Sequence, residues 1–350
     1  MHLKQSSIFV AVASAALAVV SGTAQARTPV SAQICSLGSA AVGNQGTLIC
    51  KNVLTGATTQ SIALGLTVAD AGGIGGSLKS HGDRVLVTNQ VGGAVLFRVS
   101  DGYLRSPVIL QTNEEGSLSG ALSDRGAYVL TGTSVRFYRN GQLTPSSGQP
   151  LLRGDGSAAE VTLTDHYAYV SEKNGSLEAF PLGRDGSLVG GATAVAGIDP
   201  GVIVGIAGHD DLVIAPIAHL ASNPGQSEIS VVVGLGQAQR VPTKEVAACW
   251  TNNDDGEECV SNPGSMTVSC GQLGANGFAS YTSAAASLVG ESMFDIDMRD
   301  GLVGVQAIHG GAPVMVILGR TSGDFLTFMS EVPVGTAKAA GALLLPPVSR

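Results

Sequence analysis

Apolar positions along the chain fall into short runs, some alternating with polar residues, and glycine, aspartate, asparagine and serine punctuate them. The stretch His81–Leu104, HGDRVLVTNQVGGAVLFRVSDGYL, shows the unit most clearly. A turn at Gly82-Asp83 leads into an apolar run from Arg84 to Thr88, Asn89 to Gly93 break it, and a second run from Ala94 to Val99 ends at Ser100-Asp101-Gly102. Runs of that length bounded by turn residues predict an antiparallel hairpin. The same order returns at Arg125–Leu143, Asp165–Leu188, His209–Val233, Asp254–Gly277 and Arg299–Phe325. With Gly82, Gly126, His166, Asp210, Gly256 and Gly301 as markers, successive units lie 44, 40, 44, 46 and 45 residues apart. Such a period, filled with short strands, predicts an all-β propeller of four-stranded antiparallel blades rather than a stack of helix pairs.

The N-terminus departs from this pattern. Lys4 supplies a positive start, Ile8–Val20 is a run of small and apolar residues, and Ala24-Gln25-Ala26 is an A-x-A cleavage pattern, so residues 1–26 are expected to be a secretory signal peptide. The run is shorter than the roughly 20 apolar residues that span a bilayer, which leaves no membrane span after cleavage. Residues 27–350 are then a single propeller domain, secreted or periplasmic and expected to be monomeric. Within Ser31–Leu66, Gln33–Ser36 and Thr47–Val53 read as strands, and strands from the two chain ends are expected to complete one blade here. That segment and the six marked units predict a seven-bladed ring, as does dividing the 324 mature residues by about 45.

Composition narrows the function classes. Forty-eight glycines and only 13% charged residues suit buried sheets joined by turns, and a formal net charge of −8 without a basic patch excludes nucleic acid as the expected partner. Five cysteines in an exported chain predict disulfides: Cys35 with Cys50, and two of Cys249, Cys259 and Cys270. No C-x-x-C or Cys/His zinc spacing occurs, and no G-x-S-x-G, H-E-x-x-H or P-loop sequence, so neither a metal nor a cofactor is expected. The glycine-rich Ala71–Gly76 lacks dinucleotide spacing and reads as a loop. Asp254–Glu258, in a fifth unit whose first strand looks eroded, is acidic but has no EF-hand pattern, so a solvated turn is favoured over calcium. His209 and Asp210, with His219 in the same unit, form a candidate binding group, and the insertion Ala218–Ser227 places a larger loop on one rim. His81, His166 and His309 read as turn or loop residues. Trp250, with Phe278 and Tyr281, is read as packing between blades before it is read as a sugar platform.

Three segments add a resemblance: Gly76–Val99, Ala159–Leu188, and Ala247–Trp250 followed by Asn253–Ser269. In their order and spacing they resemble the lactonase-type seven-bladed propellers related to 6-phosphogluconolactonase and the 3-carboxymuconate lactonising enzyme, in their exported branch. The resemblance implies a small-molecule lactone handled at the central channel by His, Arg and Glu. Glu172, in VSEKN, matches the strand-end glutamate and is the candidate general acid or base. Ser119–Asp124 stands where the histidine is expected, and Ala158–Val161 lacks the arginine. The competing expectation is a non-catalytic scaffold that recognises an extracellular protein or glycan through its rim loops.

Overall fold

A computed structural model describes residues 32–39, 44–68, 76–140, 142–198, 201–219, 227–274, 277–282, 290, 292–320, 326–336 and 338–345, and the statements below concern these. The expected signal peptide, most of Ala71–Gly76, most of the insertion in the fourth unit, and the side chains of Phe278 and Tyr281 lie outside them.

All regular elements are strands. β1 (Gln33–Ser39), β2 (Gln45–Asn52) and β3 (Thr58–Thr67) begin the first sheet. Next come β4 (Leu78–His81), β5 (Arg84–Val87), β6 (Gln90–Ser100), β7 (Tyr103–Ser123), β8 (Gly126–Thr131), β9 (Ser134–Arg139) and β10 (Ser147–Pro150), paired in that order as one seven-stranded sheet. Three four-stranded sheets follow: β11 (Ala158–Leu163), β12 (Tyr167–Glu172), β13 (Ser176–Pro181) and β14 (Thr193–Ala194); then β15 (Ala207–His209), β16 (Leu212–Ile217), β17 (Glu228–Val233) and β18 (Gln239–Pro242); then β19 (Trp250–Asp254), β20 (Glu257–Asn262), β21 (Thr267–Gly274) and β22 (Gly277–Thr282). A fourth comprises β23 (Ser292–Arg299), β24 (Leu302–His309), β25 (Ala312–Arg320) and β26 (Leu326–Pro333). β27 (Lys338–Leu345) returns to pair with β1, so the two ends of the chain share the first sheet.

The marker turns have a common place. Each lies between the innermost strand of a unit and its second strand, and opens the predicted hairpin of second and third strands. Asp255-Gly256 and Asp300-Gly301 carry positive φ at both positions (48° and 76°, 51° and 75°), the conformation of a tight two-residue hairpin turn. The break predicted over Asn89–Gly93 is narrower: Asn89 turns the chain at φ 62°, β6 starts at Gln90, and Gly92 (φ 83°) lies within β6 where the register shifts.

Two expectations need correction. The strands do not form separate four-stranded sheets throughout: five such sheets stand apart and the sixth has seven strands. The cause is β7, 21 residues long, which pairs with β6 up to Ser117 and with β8 from Ser117 onward. It bends at Asn113 (φ 53°), where the Thr112 hydroxyl donates to the carbonyl of Glu115 at 2.6 Å; residues 112–115 have no ladder partner, and pairing resumes at Gly116. Nor is the fifth unit eroded. Asn252, Asn253 and Asp254 pair in register with Cys259, Glu258 and Glu257, since ladder hydrogen bonds are made by the backbone whatever the side chains.

Apolar layers fill the space between neighbouring sheets. Cys35, Leu37 and Leu48 pack on Val85, Val95 and Phe97; Tyr169, Leu177 and Ala179 pack on Ile203, Val213 and Val232; Ile34 and Leu344 pack on Leu302, Met315 and Ile317. Inside the seven-stranded sheet, Leu86, Ala94 and Leu110 meet Leu122, Ala127, Val129 and Tyr138 in the same way. Each large side chain buried so is worth about 1.5–3 kcal/mol. Disulfides join directly opposed residues, Cys35 with Cys50 and Cys259 with Cys270, while Cys249 is a buried free thiol.

The innermost strands contact one another in succession, β27 to β4, the end of β7, β11, β15, β19, β23 and back to β27, so they enclose an axis. Buried carboxylates stitch this ring. Asp295 Oδ2 accepts from the amides of Gly76 and Ala342, each at 3.1 Å. Asp297 accepts from the Leu344 amide and the Asn252 side chain, each at 2.6 Å. Glu160 accepts from the Ile206 amide at 3.0 Å and pairs with Lys79 Nζ at 2.5 Å. Gly208 allows the tightest approach: a Cβ there would sit 1.8 Å from the carbonyl oxygen of Leu163.

Candidate functional site

The ends of the inner strands gather around a cavity of about 430 Å³ at one end of the axis. Lys79 and His81 of β4, Ser123, Thr162, Thr164, Asp165, Asp210, Asn252 and Asn253 are among its lining residues. That volume falls in the range that takes a small organic ligand. A second cavity of about 490 Å³ adjoins it, shares His81, Ser123, Leu163, Thr164 and Asp165, and adds Asp124, Arg125 and His166.

β4 positions the chemistry. Residues two apart on a strand share a face, so Lys79 and His81 both project from the same side of β4 while Leu78 packs into the core. Lys79 keeps 21% of its side chain exposed at the cavity while its ammonium meets Glu160. Burial alone would lower its pKa, but the charges of Glu160, Asp295 and Asp297 outweigh that and raise it, so Lys79 stays cationic. His81 Nε2 lies 3.0 Å from Asp124 Oδ1, a histidine–carboxylate pair reaching across to the β7–β8 turn. A fixed ammonium suits a developing oxyanion, and an imidazole oriented by a carboxylate suits proton transfer. Beneath them burial pushes the Asp295 carboxyl up to about 7, with Lys79 opposing, and that of Asp297 to about 6.

Glu172 is elsewhere. It is the last residue of β12, opposite Ala158 at the start of β11, whereas the mouth lies at the other end of β11, around Leu163. It lines neither mouth cavity. Its carboxyl is buried, accepts from the Ser157 hydroxyl at 2.6 Å, and is pushed by burial to about 7. His209 and Asp210 do sit at the mouth end of their sheet, at the β15–β16 turn. His219 does not join them. It follows Ala218 at the far end of β16, and an extended strand of six residues separates it from His209 by about 20 Å. Trp250 packs against Phe294, with ring centroids 6.2 Å apart.

The acidic turn also resolves. Asp254 Oδ2 accepts from the Asp300 amide at 2.8 Å, Glu257 faces a cavity between the last two units, and Glu258 is buried and bonded by Thr251. Among the described residues the close group of possible metal ligands is Glu257, Cys259 and Cys270, whose sulfurs are joined to each other.

Sequence reading passed over Lys79, Glu160, Asp295, Asp297 and the pairing of His81. The available signal was alternation: Asp295, Asp297 and Arg299 alternate with Phe294, Ile296 and Met298. Carboxylates recurring on one strand face mark a face turned from the greasy layer.

No protein-family model and no curated protein sequence matches the chain. Solved structures do. A putative 6-phosphogluconolactonase from Bacteroides fragilis superposes with a TM-score of 0.61 at 14% identity, over 91% of this chain and 99% of its own. The periplasmic gluconolactonase PpgL of Pseudomonas aeruginosa gives 0.60 at 12%, over 91% and 100%. The chain is a β-propeller with four-stranded antiparallel blades. That fold is shared with a chain of a nidogen/laminin complex, at a TM-score of 0.51 and 11% identity over 76% of this chain and 99% of the other. Identities this low describe the scaffold of the propeller, and its chemistry rests on the mouth residues.

Proposed function

We propose that the chain is an exported, seven-bladed, lactonase-like propeller that hydrolyses a small acidic or sugar-derived lactone at the channel mouth. The count of seven treats the two halves of the seven-stranded sheet as blades sharing β7. The apolar layer between those halves and the corner at Asn113 support it. The lactonase reading takes support from the two lactonase-named neighbours, each of which matches 91% of the chain.

One observation carries the reading. On a single face of β4, a cation held by Glu160 and a histidine held by Asp124 line the same 430 Å³ cavity. In the proposed step, water attacks the lactone carbonyl carbon and gives its proton to the free ring nitrogen of His81. Lys79 faces the oxyanion, and collapse breaks the ring C–O bond as His81 returns the proton to the leaving oxygen. The product is the open hydroxy acid. Asn252, Asn253 and Thr162 supply donors and acceptors for sugar hydroxyls.

The test is pH-stat hydrolysis of glucono-δ-lactone and a muconolactone, corrected for the spontaneous rate. The native chain is expected to turn over at least one of them, His81→Asn to lose about 10²–10⁴-fold in kcat, and Glu172→Gln to stay near native. No turnover above background on any lactone overturns the enzyme reading. It would leave the non-catalytic scaffold, the use for which the fold's presence in a nidogen/laminin complex speaks.

A further inference from the structure

A separate cavity of about 170 Å³ opens between the two halves of the seven-stranded sheet and shares no lining residue with the mouth cavities. Its walls include Leu96, Val108, Leu110, Tyr138 and Leu143, of which Leu143 is half exposed. Three arginines also line it: Arg84, Arg98 and Arg139.

Their charges are balanced unequally. Arg98 pairs with Asp83 at 3.0 Å and Arg139 with Asp185 at 2.5 Å, both on the surface. Arg84 is only 8% exposed, and its guanidinium donates to two neutral oxygens, the Asn140 side chain and the Ser123 carbonyl. Among the described residues no carboxylate pairs with it. Arg98 stands directly opposite Arg84 across the β5–β6 pair, so the nearest cross-strand neighbour repels it. A buried cation is costly without a counter-charge, and a guanidinium matches a carboxylate with two parallel hydrogen bonds.

We propose that this cavity binds a small carboxylate with an apolar body, an arene carboxylate or a short aliphatic one, whose carboxylate supplies the missing counter-charge of Arg84. A dry cavity of about 150 Å³ is enough to hold a benzene ring, so the space suits a body of that size. The aromatic face of Tyr138 and the side chains of Val108, Leu110 and Leu143 contact the body, and Arg98 flanks the open side.

The test is a ¹H–¹⁵N titration of the full mature chain with sodium benzoate, with benzyl alcohol and sodium sulfate as matched controls. Benzoate is expected to shift the amides of β5, β6, β8 and β9 with a Kd of about 1 mM, as ligands this small allow. Both controls are expected to bind at least about tenfold more weakly. Arg84→Met should weaken benzoate tenfold or more while leaving benzyl alcohol unchanged. Leu143→Asp, at a half-exposed position where folding is not at stake, should abolish benzoate binding by placing a like charge at the opening. Equal binding of benzoate and either control, undiminished binding by Arg84→Met or Leu143→Asp, or no shift at these strands with 20 equivalents of the expected Kd would overturn the proposal.

Discussion

Asp295 shows how a single residue serves both ring and site. Its carboxylate accepts from three amides, those of Gly76, Ala342 and Ile296, so it ties β23 to β27 and to the approach to β4. Burial is the largest influence on it and raises its pKa from 3.8 to about 7, with Asp297 raised to about 6 and Glu172 to about 7. The sign follows from proton binding. A carboxyl whose pKa is higher folded than unfolded holds its proton more tightly in the fold, so its contribution is complete below about 4 and is lost as pH rises towards 7. Urea unfolding at pH 5 is therefore expected to give a higher stability than at pH 8. Asp295→Asn should shrink that difference by about 3 kcal/mol, since each of the roughly two pH units between pH 5 and its raised pKa of about 7 is worth about 1.4 kcal/mol. An unchanged difference in the variant would show that Asp295 titrates as in the unfolded chain.

At the scale of elements, the sheets hold one another by more than apolar layers. The second strands β8 and β12 carry the related sequences GAYV and YAYV, and the second tyrosine position repeats a contact. Tyr128 donates to the Gly186 carbonyl and Tyr169 to the Gly234 carbonyl, each at 2.5 Å, reaching a turn of the next sheet. Removing one such hydroxyl loses a hydrogen bond worth about 1 kcal/mol net, with the Gly186 carbonyl buried and the Gly234 carbonyl half-buried. Tyr169→Phe should lose that much in thermal unfolding, while Tyr167→Phe, whose half-buried ring packs beside it on the same face, should stay within about 0.5 kcal/mol. Equal effects would assign the loss to ring packing instead. Much at this scale was legible in the sequence, because turn chemistry is local: Gly82, Asp210, Gly256 and Gly301 announce their turns through residues that accept positive φ. The continuity of β7 was not legible, since the strand is joined across the unpaired corner at Asn113–Glu115 only by its pairing with β6 before and after it and with β8 from Ser117.

Across the whole molecule, the mouth exists only because the ring closes. Lys79, Glu160, Asp295 and Asp297 come from three strands far apart in sequence. No local pattern joins them; β27 does, by returning to β1 and setting β23 beside β4. Strand length, by contrast, is what carries His219, close to His209 in sequence, to the far end of β16, and what sets Glu172, the residue that the family resemblance singled out, at the opposite end of its sheet from the mouth. The measurement that bears most directly on this account is a crystal structure of the chain with gluconate. The account predicts gluconate at the mouth, with an oxygen within hydrogen-bond distance of Lys79 Nζ and His81 at its side. Gluconate bound instead beside Glu172 and Ser157, with the mouth carrying only solvent, would contradict it.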